Sequence, residues 1–196
     1  MESRERIGLF GGSFDPIHTG HLILAEAAAD LARLDRVFFI PTFNPPHKTQ
    51  KNMSLFADRK KMVELAISGN GRFRISEIEE KMNVSYTVDS VLHFRDKGYG
   101  REQLHLLVGA DSLNEIALWK NPGEIFANAT IIAMQRPGHE ITSPLPPDAA
   151  VIWMTGGSNT ISSSNIRKLV AGKRSIRYLV PGDVERYIAE RSLYKE

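Results

Sequence analysis

The run Gly11–His21 carries residue types that bind phosphate groups at the start of a helix. It follows the short apolar segment Ile7–Phe10, which resembles a buried strand, and it leads into a helical pattern. Gly11 and Gly12 allow the backbone to approach a ligand closely, and Ser13 adds a hydroxyl donor. Free N–H groups and a partial positive charge at a helix N-terminus favour anions. The run therefore predicts a phosphate site between the first strand and the first helix.

Two histidines in this run, His18 and His21, are three residues apart and share one face of the predicted helix start. A protonated imidazole at this place can neutralise charge on a phosphoryl group during its transfer. One histidine alone would indicate an ordinary surface residue, whereas a pair after a glycine turn favours chemistry. Asp15 is expected to fix the turn rather than to bind a metal. The run lacks the Gly-Lys-Ser/Thr ending of a P-loop, and it is not a G-x-G-x-x-G motif.

A second anion-binding pattern occupies the segment Ile161–Arg167. Its serine hydroxyls can cap a helix and leave backbone N–H groups directed outward. Arg167, one turn further, can pair with phosphate oxygens through both arms of its guanidinium group. Alone, this pattern would describe an ordinary helix cap, but beside a second phosphate motif it indicates ligand binding. The residues assigned to this anion site are Ser162, Ser163, Ser164 and Ile166, together with Arg167.

Apolar segments and helical patterns alternate along the chain, which predicts an α/β fold. Continuous apolar runs are typical of buried parallel strands. Right-handed crossovers between them give a doubly wound, Rossmann-like sheet, in which ligands bind at the carboxyl ends of the strands. The predicted strands are Ile7–Phe10, Val37–Pro41, Phe73–Ser76, Leu104–Gly109, Thr130–Gln135 and Val151–Met154.

Helical patterns fill the segments between and after these strands. Gly71, Gly98 and Gly172 are expected at helix C-termini, and Thr87 as an N-cap. We expect a single domain over residues 1–196, with a small helical C-terminal part from about residue 161 onward. The predicted helices are Gly20–Leu34, Leu55–Ser68, Val88–Lys97, Leu113–Trp119, Ser163–Ala171 and Gly182–Ser192.

The composition excludes several classes of function. The 196 residues are 42% hydrophobic and 24% charged, as in an ordinary globular protein, and a net charge of +2 is too small to indicate nucleic-acid binding. The absence of cysteine excludes disulfides, thiolate metal sites and cysteine nucleophiles. No apolar run is long enough to span a membrane. Because Met1–Arg6 carries no signal-peptide core, we expect a cytoplasmic protein.

The run Gly11–His21 resembles the signature of the nucleotidyltransferase superfamily that carries a His-x-Gly-His motif. The similarity covers nearly the whole chain and narrows to the bacterial nicotinate-nucleotide adenylyltransferase family. That family usually has threonine in place of Ser164 and often in place of Ser13, and both serines keep the hydroxyl. The further motifs that carry the resemblance are Asn44–Lys48, Ser85–Asp89, Val108–Ser112, Trp119 and Ile161–Arg167.

The resemblance implies transfer of the adenylyl group of ATP to nicotinate mononucleotide, which gives nicotinate adenine dinucleotide and pyrophosphate in NAD biosynthesis. It implies that His18 and His21 stabilise the transition state at the α-phosphoryl group, and that Arg167 with the serine cap holds the leaving pyrophosphate. Mg²⁺ would be held mainly by the ATP phosphates, so no residue is assigned as a metal ligand. The adenosine side would be contacted by Gly109, Asp111 and Arg136, and the mononucleotide by Asn44, His47, Lys48, Thr87 and Trp119.

Several alternatives stay open at this point. The acceptor could be nicotinamide mononucleotide, or it could be phosphopantetheine, because the phosphopantetheine adenylyltransferases share both phosphate motifs. A non-catalytic nucleotide-binding regulator with the same fold is a further alternative. Taken alone, Trp119 could be a half-buried core residue, and Thr87 and Asp111 could be helix caps. The sequence leaves the oligomeric state open, and a homo-oligomer is compatible with it.

Overall fold

The computed structural model describes residues 5–44, 53–81, 86–135, 145–155 and 161–195. Its strands are all parallel and form one six-stranded sheet in the order β3-β2-β1-β4-β5-β6. The direction of winding in this order reverses between β1 and β4, as in dinucleotide-binding folds. The strands are β1 Ile7–Gly12, β2 Arg36–Pro41, β3 Phe73–Ile75, β4 Leu104–Gly109, β5 Thr130–Gln135 and β6 Val151–Thr155.

The helices lie on both faces of this sheet. They are α1 Thr19–Leu31, α2 Phe56–Ile67, α3 Thr87–Asp96, α4 Ala110–Asn114, α5 Pro122–Asn128, α6 Ser163–Ala171 and α7 Gly182–Glu190, with short 3₁₀ helices at Ile78–Lys81 and Ile116–Leu118. Apolar side chains of α1, α2, α6 and α7 form the core on one face, and those of α3, α4 and α5 form it on the other. The predicted doubly wound, Rossmann-like fold is therefore confirmed.

Strand β1 lies in the middle of the sheet because its side chains are apolar on both faces. Leu9 belongs to one core and Phe10 to the other. The ladder between β1 and β4 ends at the pair Leu9–Leu106, whereas the ladder with β2 continues as far as Gly12. A cleft therefore opens between β1 and β4 at their carboxyl ends, where doubly wound folds bind ligands.

The predicted strands and most of the predicted helices are confirmed to within a few residues. The predicted helix over Leu113–Trp119 is wrong in its form, because two short helices, α4 and a 3₁₀ turn, occupy this region and Trp119 is extended. Helix α5 was not predicted, because its seven residues are too few to show an amphipathic period. Asn121 in a left-handed conformation (φ 47°) and Pro122 at the first position start that helix.

The expected helix ends have mixed outcomes. Gly98 has a positive φ of 93° just after α3, and Gly172 is the C-cap of α6, as predicted. The prediction for Gly71 is wrong, because α2 ends at Ile67 with Ser68 as its C-cap. The prediction of Thr87 as an N-cap is also wrong, since Thr87 is the first residue of α3.

The two C-terminal helices, α6 and α7, pack into the hydrophobic core on one face of the sheet. Ile166 of α6 and Val184 and Ile188 of α7 are buried in the cluster that also holds the apolar residues of α1 and α2. This cluster places α6 beside the start of α1, so that both predicted phosphate motifs face the same edge of the sheet. Among the described residues, no helix combines the length and apolar character needed to cross a bilayer.

Candidate active site

A cavity of about 370 Å³ lies at the carboxyl ends of β1 and β4. Gly11, Gly12, Val108 and Gly109 form its floor, and Trp119 is part of its wall. Its volume lies in the range of small-molecule sites, which are about 300–1,000 Å³. Polar groups enter it from several elements, namely from Ser13, His21, Thr42, Glu79, Thr87, Ser112 and Ser163.

The glycine turn after β1 is shaped by the ring of Phe14. A side chain on Gly12 would approach this ring to 3.1 Å, closer than ordinary packing allows, whereas the space beside Gly11 is open. Phe14 itself is in the left-handed region (φ 46°), and its buried ring meets the ring of Phe10 edge-on at 5.6 Å. The turn therefore keeps backbone, and no side chain, beside the cavity at Gly11.

The two histidines form a stacked pair at the start of α1. His18 is the N-cap, and the ring centroids of His18 and His21 are 3.7 Å apart with their planes 25° from parallel. The backbone N–H of His18 donates to Nδ1 of His21 at 3.2 Å. Because this bond requires a lone pair on Nδ1, it favours the neutral tautomer of His21 with its proton on Nε2. This geometry favours a neutral ring with an Nε2–H donor over the protonated imidazole considered in the sequence analysis.

The serine-rich segment caps α6 and touches the glycine–histidine run directly. Ser162 is the N-cap and accepts the N–H of Asn165 at 3.2 Å, as predicted. The hydroxyl of Ser163 donates to the carbonyl of Pro16 at 2.8 Å, and it lies at the edge of the cavity. These contacts bring the two predicted phosphate motifs together although they lie far apart in the sequence.

Arg167 links the same two motifs. Its Nη1 donates to the carbonyl of Asp15 at 2.6 Å, and its Nη2 lies 3.4 Å from the hydroxyl of Ser164. About a third of the Arg167 side chain remains exposed. The guanidinium group is therefore held between the signature run and the serine cap, with surface left to meet an anion.

The residues predicted for the acceptor lie at the other wall of the cavity. Thr87 and Trp119 both line it, and both are half-buried. Thr87 begins α3, so its hydroxyl lies beside the free N–H groups of a helix N-terminus. Asn44 is half-buried and is not part of the lining of this cavity. His47 and Lys48 lie outside the described residues.

The predicted adenosine side is only partly described. Gly109 lines the cavity at the end of β4, and Ser112, which the sequence analysis did not single out, lines it as well. The side chain of Asp111 and the whole of Arg136 lie outside the described part of the chain. The side chain of Ile166 is fully buried in the core, and its N–H donates to the carbonyl of Ser162. We therefore propose no ligand contact for Ile166.

Two buried charged residues near the cavity were missed by the sequence analysis. Glu79 lines the cavity, is only 5% exposed and accepts the N–H of Phe43 at 3.0 Å. Arg59, 2% exposed, donates to the carbonyl of Ser13 at 2.7 Å. Burial lowers the pKa of Arg59, while nearby Asp15 acts in the opposite direction. No local sequence motif identifies either residue. Arg59 lies on α2 and Glu79 on the first 3₁₀ helix, and each reaches the site only because its element packs there in the folded protein.

Comparison with known proteins agrees with this geometry. Residues 9–169 match the cytidylyltransferase-like family model, which places the chain in the class of nucleotidyltransferases. A protein of Geobacter sp. strain M21 is 42% identical over 96% of this chain and 98% of its own length, and one of Thermoanaerobacter sp. strain X514 is 40% identical over 100% and 97%. Both are named probable nicotinate-nucleotide adenylyltransferase.

The chain belongs to the nicotinate-nucleotide adenylyltransferase family. The fold is also that of a solved structure of the Plasmodium falciparum nicotinic acid mononucleotide adenylyltransferase in complex with NaAD. The TM-score is 0.79 over 97% of this chain and 98% of that one, at 18% sequence identity. At this identity the similarity concerns the fold alone.

Proposed function

We propose that this protein transfers the adenylyl group of ATP to nicotinate mononucleotide, which yields nicotinate adenine dinucleotide and pyrophosphate. The observation that carries the proposal is that the cavity at the carboxyl ends of β1 and β4 brings Ser13, His21 and Ser163 together with Thr87 and Trp119. Its phosphate-binding residues and its aromatic wall suit a reaction between a triphosphate and a pyridine mononucleotide.

In this reaction an oxygen of the mononucleotide phosphate attacks the α-phosphorus of ATP. The new P–O bond forms as the bond to the β-phosphate oxygen breaks, and pyrophosphate leaves with the electron pair. The attacking phosphate is already an anion at neutral pH, so no general base is needed. Alignment of the two substrates then supplies much of the rate enhancement, on the order of 7–11 kcal/mol in well-oriented reactions.

The residues take separate roles in this proposal. Nε2–H of His21 donates to the α-phosphoryl oxygens as charge develops on them, and His18 supports the ring by stacking. Arg167 and the start of α6 hold the departing pyrophosphate. Trp119 stacks on the pyridine ring, and Thr87 with the N-terminus of α3 binds the ring carboxylate.

Mg²⁺ fits this site as an ion that ATP carries in. The carboxylate of Asp15, within the signature run, already accepts hydrogen bonds from Tyr194 and from the N–H of Ser54, and that of Glu79 accepts the N–H of Phe43. The other polar side chains that line the cavity are mainly hydroxyls, which suit an ion that keeps its waters and its phosphate ligands. When bound, the ion supplies neutralisation of charge on the triphosphate.

The nature of the acceptor is tested by offering each candidate separately. The purified protein is incubated with ATP, Mg²⁺ and either nicotinate mononucleotide, nicotinamide mononucleotide or phosphopantetheine, and pyrophosphate release is measured. We expect release to be fastest with nicotinate mononucleotide, because the start of α3 favours a carboxylate over an amide. Release with another acceptor alone would reassign the substrate, and no release with any acceptor would favour a non-catalytic regulator.

A further inference from the structure

The carboxylate of Asp15 is buried beneath the signature run, where only 2% of the residue is exposed. Its Oδ1 accepts the hydroxyl of Tyr194 at 2.7 Å, and its Oδ2 lies 3.4 Å from the N–H of Ser54. The backbone carbonyl of the same residue accepts from Arg167. Asp15 therefore connects three segments that are distant in sequence at the turn that precedes His18.

Tyr194 reaches this position from the turn that follows α7. Ser192 and Tyr194 are both left-handed, with φ of 52° and 62°, so this segment turns back toward the sheet and packs against its core. Burial first, and the charge of Asp15 second, raise the pKa of the Tyr194 phenol. The phenol therefore stays protonated over the range of ordinary assays and acts as a donor to the carboxylate.

Helix α2 completes the support from the same side. Arg59 donates to the carbonyl of Ser13 at 2.7 Å and to that of Ser54 at 3.1 Å. Ser13 and Asp15, two positions of the signature run, are thus each held by a polar side chain from outside the run, Ser13 by the buried Arg59 and Asp15 by the half-buried Tyr194. Neither Arg59 nor Tyr194 is among the described residues that line the cavity, so we expect each to act on a substrate through the residue that it holds.

We propose that Tyr194 is a positioning residue for the adenylyl transfer, which fixes the Asp15 carboxylate and thereby the turn that carries Ser13 and His18. This inference rests on the proposed function, since it assigns to Tyr194 an effect on that reaction. When Tyr194 holds this turn in one conformation, the two histidine rings keep one orientation toward the cavity. Without the hydroxyl the turn samples others, and the histidines spend less time aligned with the α-phosphate.

The chain offers a matched control for the removal of this hydroxyl. Tyr187 on α7 donates to Oδ1 of the buried Asp58 at 2.8 Å. Like the bond from Tyr194 to Asp15, this bond joins a tyrosine in the C-terminal part of the chain to a buried aspartate. Asp58 lies on α2 and is not part of the cavity lining. Tyr194→Phe and Tyr187→Phe therefore remove equivalent bonds, of which only one reaches the signature run.

We expect both variants to lower the melting temperature to a similar, small extent. Tyr194→Phe lowers kcat about tenfold with the KM for nicotinate mononucleotide nearly unchanged, as expected for lost alignment in the transition state. Tyr187→Phe keeps the kcat of the unaltered protein. An unchanged kcat in Tyr194→Phe, or an equal loss of kcat in the two variants, would overturn the proposal, because the bond would then serve stability alone.

A double-mutant cycle shows whether Tyr194 affects kcat through its hydrogen bond to Asp15 or through the stability of the whole fold. Asp15→Ala, which removes both carboxylate oxygens, alone also lowers kcat, and adding Tyr194→Phe to it lowers kcat little further if both act through one bond. Full additivity of the two losses contradicts the proposal. If the unaltered protein shows no adenylyl transfer with any acceptor, the proposed function itself fails, and this result is distinct from any outcome among the variants.

Discussion

Arg167 donates a hydrogen bond of 2.6 Å to the backbone carbonyl of Asp15, and this bond joins the two phosphate motifs of the chain. One motif follows the first strand and the other begins α6, so their contact exists only in the folded protein. About a third of the Arg167 side chain remains exposed, so N–H groups that are not bonded to Asp15 or Ser164 can take part in binding an anion between the two motifs.

The replacement of Arg167 by lysine tests whether this side chain binds Asp15 and a phosphate at the same time. Arg167→Lys keeps the positive charge but removes the planar fork, so it cannot hold Asp15 and a phosphate together. A hydrogen bond to a charged group contributes about 1.5–3 kcal/mol, so we expect kcat/KM for ATP to fall roughly tenfold to hundredfold. Steady-state kinetics with ATP varied provide the measurement, and Lys168→Met, on the exposed neighbouring position, is the control.

The tautomer of His21 gives a second prediction. A neutral ring with a proton on Nε2 needs no further proton to donate to the α-phosphate, so kcat should stay level from pH 7 to pH 9. An imidazolium would instead lose its proton above its usual pKa of about 6.5, and kcat would fall as the pH rises. A decline of kcat with rising pH in this range would contradict the neutral tautomer.

Amide replacements of His21 extend the same test. The side-chain amide of glutamine can place its NH₂ group near the position of Nε2, whereas that of asparagine reaches only the position of Nδ1. Loss of a preorganised donor to developing charge costs about 10²–10³ in kcat. We expect His21→Asn to show this loss and His21→Gln to retain more activity, as measured by single-turnover rates with saturating substrates.

The elements around β1 and β4 could be predicted because their signals are local. The four residues Ile7–Phe10 form an uninterrupted apolar run, and the glycines that follow mark its end. The cap at Ser162 is also a local signal, because its hydroxyl accepts the N–H of Asn165, only three residues further along the chain. Helix α5 was missed because so short a helix shows no period, and its start depends on the left-handed conformation of Asn121.

The supporting residues of the site could not be predicted, since their partners are remote in sequence. Tyr194 and Asp15 are 179 positions apart, and Arg59 and Ser13 are 46 apart. Nothing in the local pattern of α2 distinguishes Arg59 from a surface arginine. Glu79 likewise becomes part of the cavity only because its 3₁₀ turn packs beside the end of β2.

Trp119 is expected to contribute to acceptor binding by stacking on the pyridine ring. Stacking of an aromatic side chain on a base is worth about 1–3 kcal/mol. Trp119→Ala should therefore raise the KM for nicotinate mononucleotide roughly tenfold, with a smaller effect on the KM for ATP, and Trp119→Phe should retain part of the binding. A selective loss of ATP binding would show that the indole lies on the nucleotide side.

Thr87 is expected to contribute to the choice of acceptor. Thr87→Val removes the hydroxyl at the start of α3 while it keeps the shape of the side chain. The ratio of kcat/KM for nicotinate over nicotinamide mononucleotide should fall about tenfold, because only the carboxylate gains a charge-assisted hydrogen bond there. A ratio equal to that of the unaltered protein would leave the selectivity to the backbone N–H groups of α3 alone.

His105 makes the stability of the fold sensitive to acid. It is 1% exposed, with Nε2 at 3.1 Å from Nη2 of Arg6 and Nδ1 at 3.3 Å from the carbonyl of Gln103. These contacts suit a neutral ring that donates from Nδ1 and accepts at Nε2. Burial first, and the charge of Arg6 second, lower the pKa of His105.

The unfolded chain, with a histidine pKa of about 6.5, then binds a proton in mildly acidic solution that the folded chain does not bind. The free energy of unfolding should therefore be fully retained above this pH and decline as the pH falls below it. Urea denaturation at pH 7 and at pH 5.5 measures the decline. It should be smaller in His105→Gln than in the unaltered protein. An equal decline in the two proteins would show that other groups control the acid sensitivity.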